Sequence, residues 1–511
     1  MHGRIKTSCH PERSCILRSV EDETKSRDLL SSAGWRVPHS IAFFAIEWGI
    51  PTGGVARLGG LRQMMGIAAK KFRIEAADFF MLKGICSEIL SLGAVASVVI
   101  FIPPRVAAQT FSILHTFESS KDGGLSAAPL LADANGNLYG VTEEGSTPDC
   151  RDSFDDCGTV FELSGTSTGK WSHRVLYNFL GGTDGARPKS GLARDGTGDF
   201  YGATYNGGTG CGGFGCGTIF QLERSQTGVW QESVVYRFTG AADGSYPASA
   251  LALDHAGDIY GTAPYGGDLN CPYLAGCGVV FKVHRTQGGT WKQTVLHTFE
   301  GGDGAYPYSG LVADSSGNLY GSTQSGGSGA GVIYQLKRSG NQWTETVLYQ
   351  FEGGTDDGTP VGELLIDKQG NLYGATKYSG DYGTGAVFEL SPGEGGWTLQ
   401  LLHSFSGDDG WFPSAGVVAD AKGNLYGTAG GGSFDNCRGG CGVVYKLDRS
   451  NGWAESPVYD LNGGANGFYP WATVFLREGK LYGTIAFGGD VACQSNEFSY
   501  AGCGVVFEIG P

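Results

Sequence analysis

Carboxylates followed by glycine, and then by a ring and a proline, recur along this chain. TDGARP (Asp184), ADGSYP (Asp243), GDGAYP (Asp303), DDGTP (Asp357), DDGWFP (Asp409) and ANGFYP (Asn466) are copies of one pattern. Tyr246, Tyr306, Phe412 and Tyr469 stand immediately before the proline. An aromatic face can stack on a ligand while a nearby carboxylate accepts its hydroxyl protons, which suits a sugar. Tyr246, Tyr306, Phe412, Tyr469, Asp243, Asp303 and Asp409 are therefore the candidate binding residues. The competing expectation is that each ring packs on its neighbour and each Asp closes a turn.

A second acidic series reads differently. Asp133, Asp195, Asp254, Asp314, Asp367 and Asp420 recur in D-x-x-G, with Arg477 at the seventh equivalent place. A carboxylate accepting turn N–H groups before a positive-φ glycine is hairpin chemistry. A calcium cage would need six to eight oxygens in one place. His115, His297 and His403 fill a slot taken elsewhere by Tyr177, Tyr236, Tyr349 and Tyr459, while His173, His255 and His284 stand alone. The chain has no H-E-x-x-H motif and no G-x-x-x-x-G-K-[ST] phosphate-binding loop. Every repeat supplies similar Asp residues, so no acid pair for glycoside cleavage stands out. No catalytic residue, metal ligand or cofactor is assigned.

The elements that position these residues follow from an internal repeat. Tyr-Gly recurs inside one block at Tyr139, Tyr201, Tyr260, Tyr320, Tyr373, Tyr426 and Tyr482. Each copy reads as four short strands, for example GLVAD (310–314), NLYGST (318–323), GVIYQL (331–336) and WTETVLYQF (343–351). Seven such units describe a seven-bladed all-β propeller of four-stranded antiparallel blades. The sequence ends on a third strand, GVVFEI (504–509), whereas FSILHTF (111–117) matches the fourth strand elsewhere. One N-terminal strand and three C-terminal strands should thus complete the last blade and remove its open edges. Meander direction alternates, so the Asp-Gly loops and the loops between second and third strands should share a face. The strand-four tryptophans recur too regularly for a site and should pack blades together.

Ten cysteines fall in five local pairs between second and third strands: Cys150/Cys157, Cys211/Cys216, Cys271/Cys277, Cys437/Cys441 and Cys493/Cys503. Disulfides are the expected state, with metal binding and free thiols as the other readings; the variable spacing does not fit a zinc ribbon.

Composition agrees. Glycine accounts for 88 of 511 residues without a three-residue period, which excludes collagen, and 41% hydrophobic content excludes wholesale disorder. Residues 111–511 hold 22 basic and 42 acidic side chains, which argues against nucleic acid or anionic membrane as a partner. The segment beginning at Met81 has Lys83, an apolar run from Ile89 to Ile102, and small residues up to Ala108. That is the layout of a signal peptide, so 81–108 is the expected leader and 109–511 the exported domain. Residues 1–80 are expected to be a disordered upstream extension from an early start codon.

Units such as GLVADSSGNLYGST followed by GVIYQL, and GVVADAKGNLYGTA followed by GVVYKL, resemble the GloVer tandem repeat of secreted bacterial proteins. The resemblance covers about residues 109–511 and implies an extracellular repeat protein with varied C-terminal anchors. This sequence stops at Pro511 with no apolar tail, so free secretion, or residence in a periplasm, is expected. The expectation is a monomeric binding or surface-interaction module for polysaccharide or a surface protein, with no membrane span in the mature chain. The alternatives are a carbohydrate-active hydrolase or lyase at the channel mouth, and a structural envelope protein.

Overall fold

Phe161, Phe220, Phe281, Phe388 and Phe507 explain why the repeat is written Tyr-Gly. Each of these third-strand rings lies against the second strand of its own blade. A Cβ on Gly140, Gly202, Gly261, Gly374 or Gly483 would meet the ring at 2.4–2.6 Å. Glycine is the residue that leaves the ring its space. The rings are 0% exposed and form the centre of each blade.

The computed structural model describes residues 109–510 apart from 120, 146–149, 151–156, 167–168, 341, 353–357, 433–436, 438–439, 491 and 494–501. The expected leader and upstream extension lie outside the described residues, as does Asp357. Strands are lettered A to D within each blade, as in blade 4: A Val312–Ala313, B Leu319–Thr323, C Val332–Ser339 and D Gln342–Gln350. Seven antiparallel sheets follow this order around a seven-bladed β-propeller. Strand A is shorter than the sequence suggests because the chain bulges before it. In blade 5, Val361 pairs with Ala375 and Leu365 with Tyr373, leaving three residues opposite one.

Blade 7 closes as the repeat requires. Its strands A (Phe475–Arg477), B (Lys480–Ile485) and C (Val505–Gly510) are completed by D (Thr110–Thr116), paired from Thr110↔Gly510 to Thr116↔Val505. Neighbouring blades are joined by edge-on aromatic pairs at 5.0–5.9 Å, among them Phe117–Phe161, Phe238–Phe281, Phe351–Phe388 and Phe405–Tyr445. Trp291, Trp343, Trp397 and Trp453 each lie 6.2–6.4 Å from the Tyr-Gly tyrosine of the preceding blade. That is inter-blade packing. The D-x-x-G carboxylates serve their turns: Asp314 accepts the Asn318 and Ser316 N–H groups and the Tyr320 hydroxyl. Arg477 donates across the closure to the Asp133 and Ala134 carbonyls. Among the described residues, no helix is long and apolar enough to cross a membrane.

Candidate binding face

The loop between strand D of one blade and strand A of the next turns on one residue in an unusual conformation. Leu125, Arg187, Tyr246, Tyr306, Thr359, Phe412 and Tyr469 are equivalent, and all have φ between +53° and +61°. Each donates its N–H back to the preceding blade at 2.7–3.0 Å, onto the carbonyl of Cys503, Cys157, Cys216, Cys277, Ala330, Thr384 and Cys441 respectively. Seven such hooks run around the ring. Five of the acceptors are the second cysteine of a local pair, and all five pairs form disulfides. Each bridge therefore fixes the carbonyl that holds the next blade. Because the hooks join D–A loops to B–C loops, these loops share one face.

The candidate residues divide by role. Tyr246, Tyr306, Phe412 and Tyr469 are partly exposed on this face. They belong to aromatic groups that single-repeat reasoning did not find. Tyr246 lies 4.9 Å from Tyr205, Tyr306 lies 5.2 Å from Tyr265, and Phe412 lies 5.0 Å from Tyr378. Tyr469 packs parallel to Trp471 at 6.1 Å. The hydroxyls of Tyr265 and Tyr308 meet at 2.6 Å, and Tyr205 lies close to Tyr308. Arg187 and Lys189 both face the buried carboxylate of Glu143 at 3.6 and 3.0 Å.

The three candidate carboxylates are held within their own loops. Asp243 accepts the Tyr236 hydroxyl and the Thr239 N–H, both at 2.9 Å. Asp303 pairs with His297 at 2.9 Å and accepts the Glu300 N–H, and Asp409 does the same with His403 and Ser406. A third side chain from the next blade completes each group. Thus His173, solitary in sequence, stacks at 4.1 Å on His115, which pairs with Asp122. Burial, followed by the charge of His115, lowers His173 to about 4. His115, Asp122 and His173, and likewise His297, Asp303 and Glu345, bring three donor atoms within 4.8 Å of one another, so either set could hold a metal ion. Tyr177, Tyr236 and Tyr459 replace the imidazole in other blades, which marks the arrangement as an inter-blade joint shared by the repeat.

Buried acids at these joints make the fold pH-sensitive. Burial and a neighbouring carboxylate push Glu345 and Glu455 up to about 7, with Asp303 beside the first and Asp409 and Asp460 beside the second. His297 opposes the rise at Glu345. Glu232 is raised in the same way, by burial and by Asp184, with Arg237 opposing. A carboxyl raised in the folded state stabilises fully below its ordinary value near 4.5, and that contribution is lost as pH rises through about 7. Asp122 and Asp303, held low by their imidazoles and N–H donors against burial, act in the acid range instead. These acids are partly exposed, which screens the effect. The melting temperature should therefore fall by roughly 2–5 °C between pH 5 and pH 8. Glu345→Gln with Glu455→Gln should flatten that slope in a scanning-calorimetry series; an unchanged slope would reject these groups as its source.

Clefts occur as well. One of about 470 Å³ lies against the A–B turns of blades 6 and 7, on the opposite face, beside Asp420, Lys422, Tyr426 and Gly479. A second, of about 270 Å³, lies at the candidate Asp409 itself and is lined also by Asp408, Glu455 and Asp460.

The Gloeobacter/Verrucomicrobia repeat model matches residues 93–328 and 273–494. No curated protein matches the chain. Among solved structures, it is similar to the extracellular domain of a one-component system from B. thetaiotaomicron, at 12% identity and TM-score 0.46. The match covers 78% of this chain but 40% of that one, so the chain spans well under half its length. A Thermus thermophilus protein described as an oxidoreductase (glucose dehydrogenase) matches at 16% identity and TM-score 0.39, covering 66% of this chain and all of that one. A Dyadobacter fermentans protein of unknown function matches at 11% and 0.39, covering 79% and 99%. None of these likenesses bears on function. The five disulfides themselves mark a domain that matures outside the reducing cytoplasm.

Proposed function

Because the chain belongs to the Gloeobacter/Verrucomicrobia repeat family, we propose a role built on what its repeats share: an exported propeller that binds polysaccharide on the hooked face. One observation carries this reading. The chain has 88 glycines and uses dozens of them at positive φ, yet the seven hook positions keep side chains there. A non-glycine residue in that region costs about 1–2 kcal/mol. Four of the seven are rings at the surface, and strain retained at such positions points to use. Loops on a rigid scaffold are also where binding usually resides.

Glycine substitution separates binding from packing. Tyr306→Gly and Phe412→Gly remove a ring and relieve the backbone at once. Each should leave the melting temperature unchanged or slightly raised, while weakening a ligand identified on a glycan array by about fivefold, the worth of one aromatic contact. A marked loss of stability with unaltered affinity would assign the rings to blade packing and sink the proposal.

A further inference from the structure

Six of the seven blades present an uncharged residue four positions before the D-x-x-G place, in the bulged segment that leads into strand A. In order these are Pro129, Gly191, Ala250, Gly310, Gly416 and Thr473, and blade 5 alone has a charged one, Glu363. The positions meet across blades. A Cβ on Gly191 would lie 2.9 Å from Pro129 and 3.5 Å from Ala250, and one on Gly416 would lie 2.2 Å from the Glu363 carbonyl oxygen. The Glu363 side chain leans the other way, its Oε1 2.5 Å from where a Cβ would stand on Gly310. The Glu363 residue is half-buried, and part of it meets solvent. Among the described residues, no side chain forms a hydrogen bond or ion pair with it, and burial alone raises its affinity for a proton.

Among the described residues the Glu363 carboxylate has no side-chain partner, whereas the cations Arg187 and Lys189 are already engaged by Glu143. Two residues before Gly310 in sequence stands Tyr308, whose hydroxyl meets that of Tyr265 and lies close to Tyr205. We propose that the axial channel binds one ammonium group of an aminated polysaccharide, with Glu363 taking the charge and the three tyrosines receiving the sugar that carries it. This rests on the polysaccharide reading above. A metal ion would need more donors than one carboxylate among glycine, alanine and proline provides. A primary ammonium needs three acceptors, which a carboxylate and bare backbone carbonyls can offer. The clustered phenol hydroxyls favour a hydroxylated carrier over an aliphatic lysine stem. The excess of acidic side chains over residues 111–511 favours a cation of either kind.

Calorimetric titration of the full chain at pH 6 and low salt tests this with three probes: a glucosamine hexamer, its N-acetylated counterpart and a lysine hexapeptide. The wild type should bind the glucosamine hexamer at least tenfold more tightly than the N-acetylated one. Glu363→Gln should erase that preference without lowering the melting temperature. Gly310→Ala, which keeps the charge but pushes a methyl into the carboxylate's place, should reduce it and covers the case in which Glu363→Gln does not fold. Absence of the preference, its survival in Glu363→Gln, or tighter binding of the lysine peptide would each overturn the proposal. Equal binding of both sugars, lost in Tyr306→Gly, would overturn the channel site while leaving the polysaccharide face standing. Failure of both sugars together with a blank glycan array would remove both.

Discussion

Deleting residues 109–118 should abolish cooperative folding of the ring. That segment is strand D of blade 7, and it covers strand C from Val505 to Gly510 with a full ladder of pairs. It also delivers Phe117, which is 0% exposed, and Phe111, whose ring stacks at 4.2 Å on Tyr459. Loss of one buried phenylalanine typically costs about 3–5 kcal/mol, a large part of the stability of most domains. Removing the strand forfeits that, the ladder and the bond from the Phe117 N–H to Gly504, and exposes a sheet edge that invites pairing with other chains. Circular dichroism melting and size-exclusion chromatography would report the result. An unchanged midpoint in a monomeric product would mean that the blade does not need its fourth strand.

Gly278→Ala should be nearly as damaging, although it adds one methyl group. Gly278 follows the clamped Cys277 and has φ +89°. A Cβ there would lie 2.6 Å from the Ala263 carbonyl oxygen and 2.6 Å from the Pro307 Cδ of the next blade. Neither neighbour is a flexible side-chain end. Strain in φ and the clash together should cost about 3 kcal/mol. Gly289→Ala separates the two terms: its φ is +78°, but nothing lies within 4 Å of the added atom, so about 1 kcal/mol is expected. Equal destabilisation in chemical denaturation would show that the contact with Pro307 contributes nothing.

The repeat made the blade legible because each strand is local. Tyr320-Gly321 and its six counterparts announce strand B, and FSILHTF announces the closing strand by matching VLHTF at 295–299. What lies between blades was harder to read. Asp303, His297 and Glu345 come from three separate segments, so a charge resembling a loop residue is half of an inter-blade joint. The aromatics at the hooks were recognised by type, but not their left-handed backbone. Tyr306 before Pro307 would ordinarily be read as extended. Tyr205, Tyr265 and Tyr308 meet from blades 2, 3 and 4, and no single repeat contains the trio. Glu363 was visible as GELLID against GLVAD, yet one deviation among seven variable copies resembles drift until the ring is assembled.

The disulfides also determine the order in which the molecule can be finished. Every bridge spans 4–10 residues, so each thiol has its partner close by as soon as one loop has emerged. Closing a loop of that length takes about 10–100 ns, and longer loops cost more entropy to close. Scrambled bonds between blades would have to compete against that advantage. Oxidation can therefore follow the chain blade after blade, with little need for reshuffling. The pair Cys493 and Cys503 fixes the carbonyl that receives Leu125, so the thiols of blade 7 fasten that blade to blade 1.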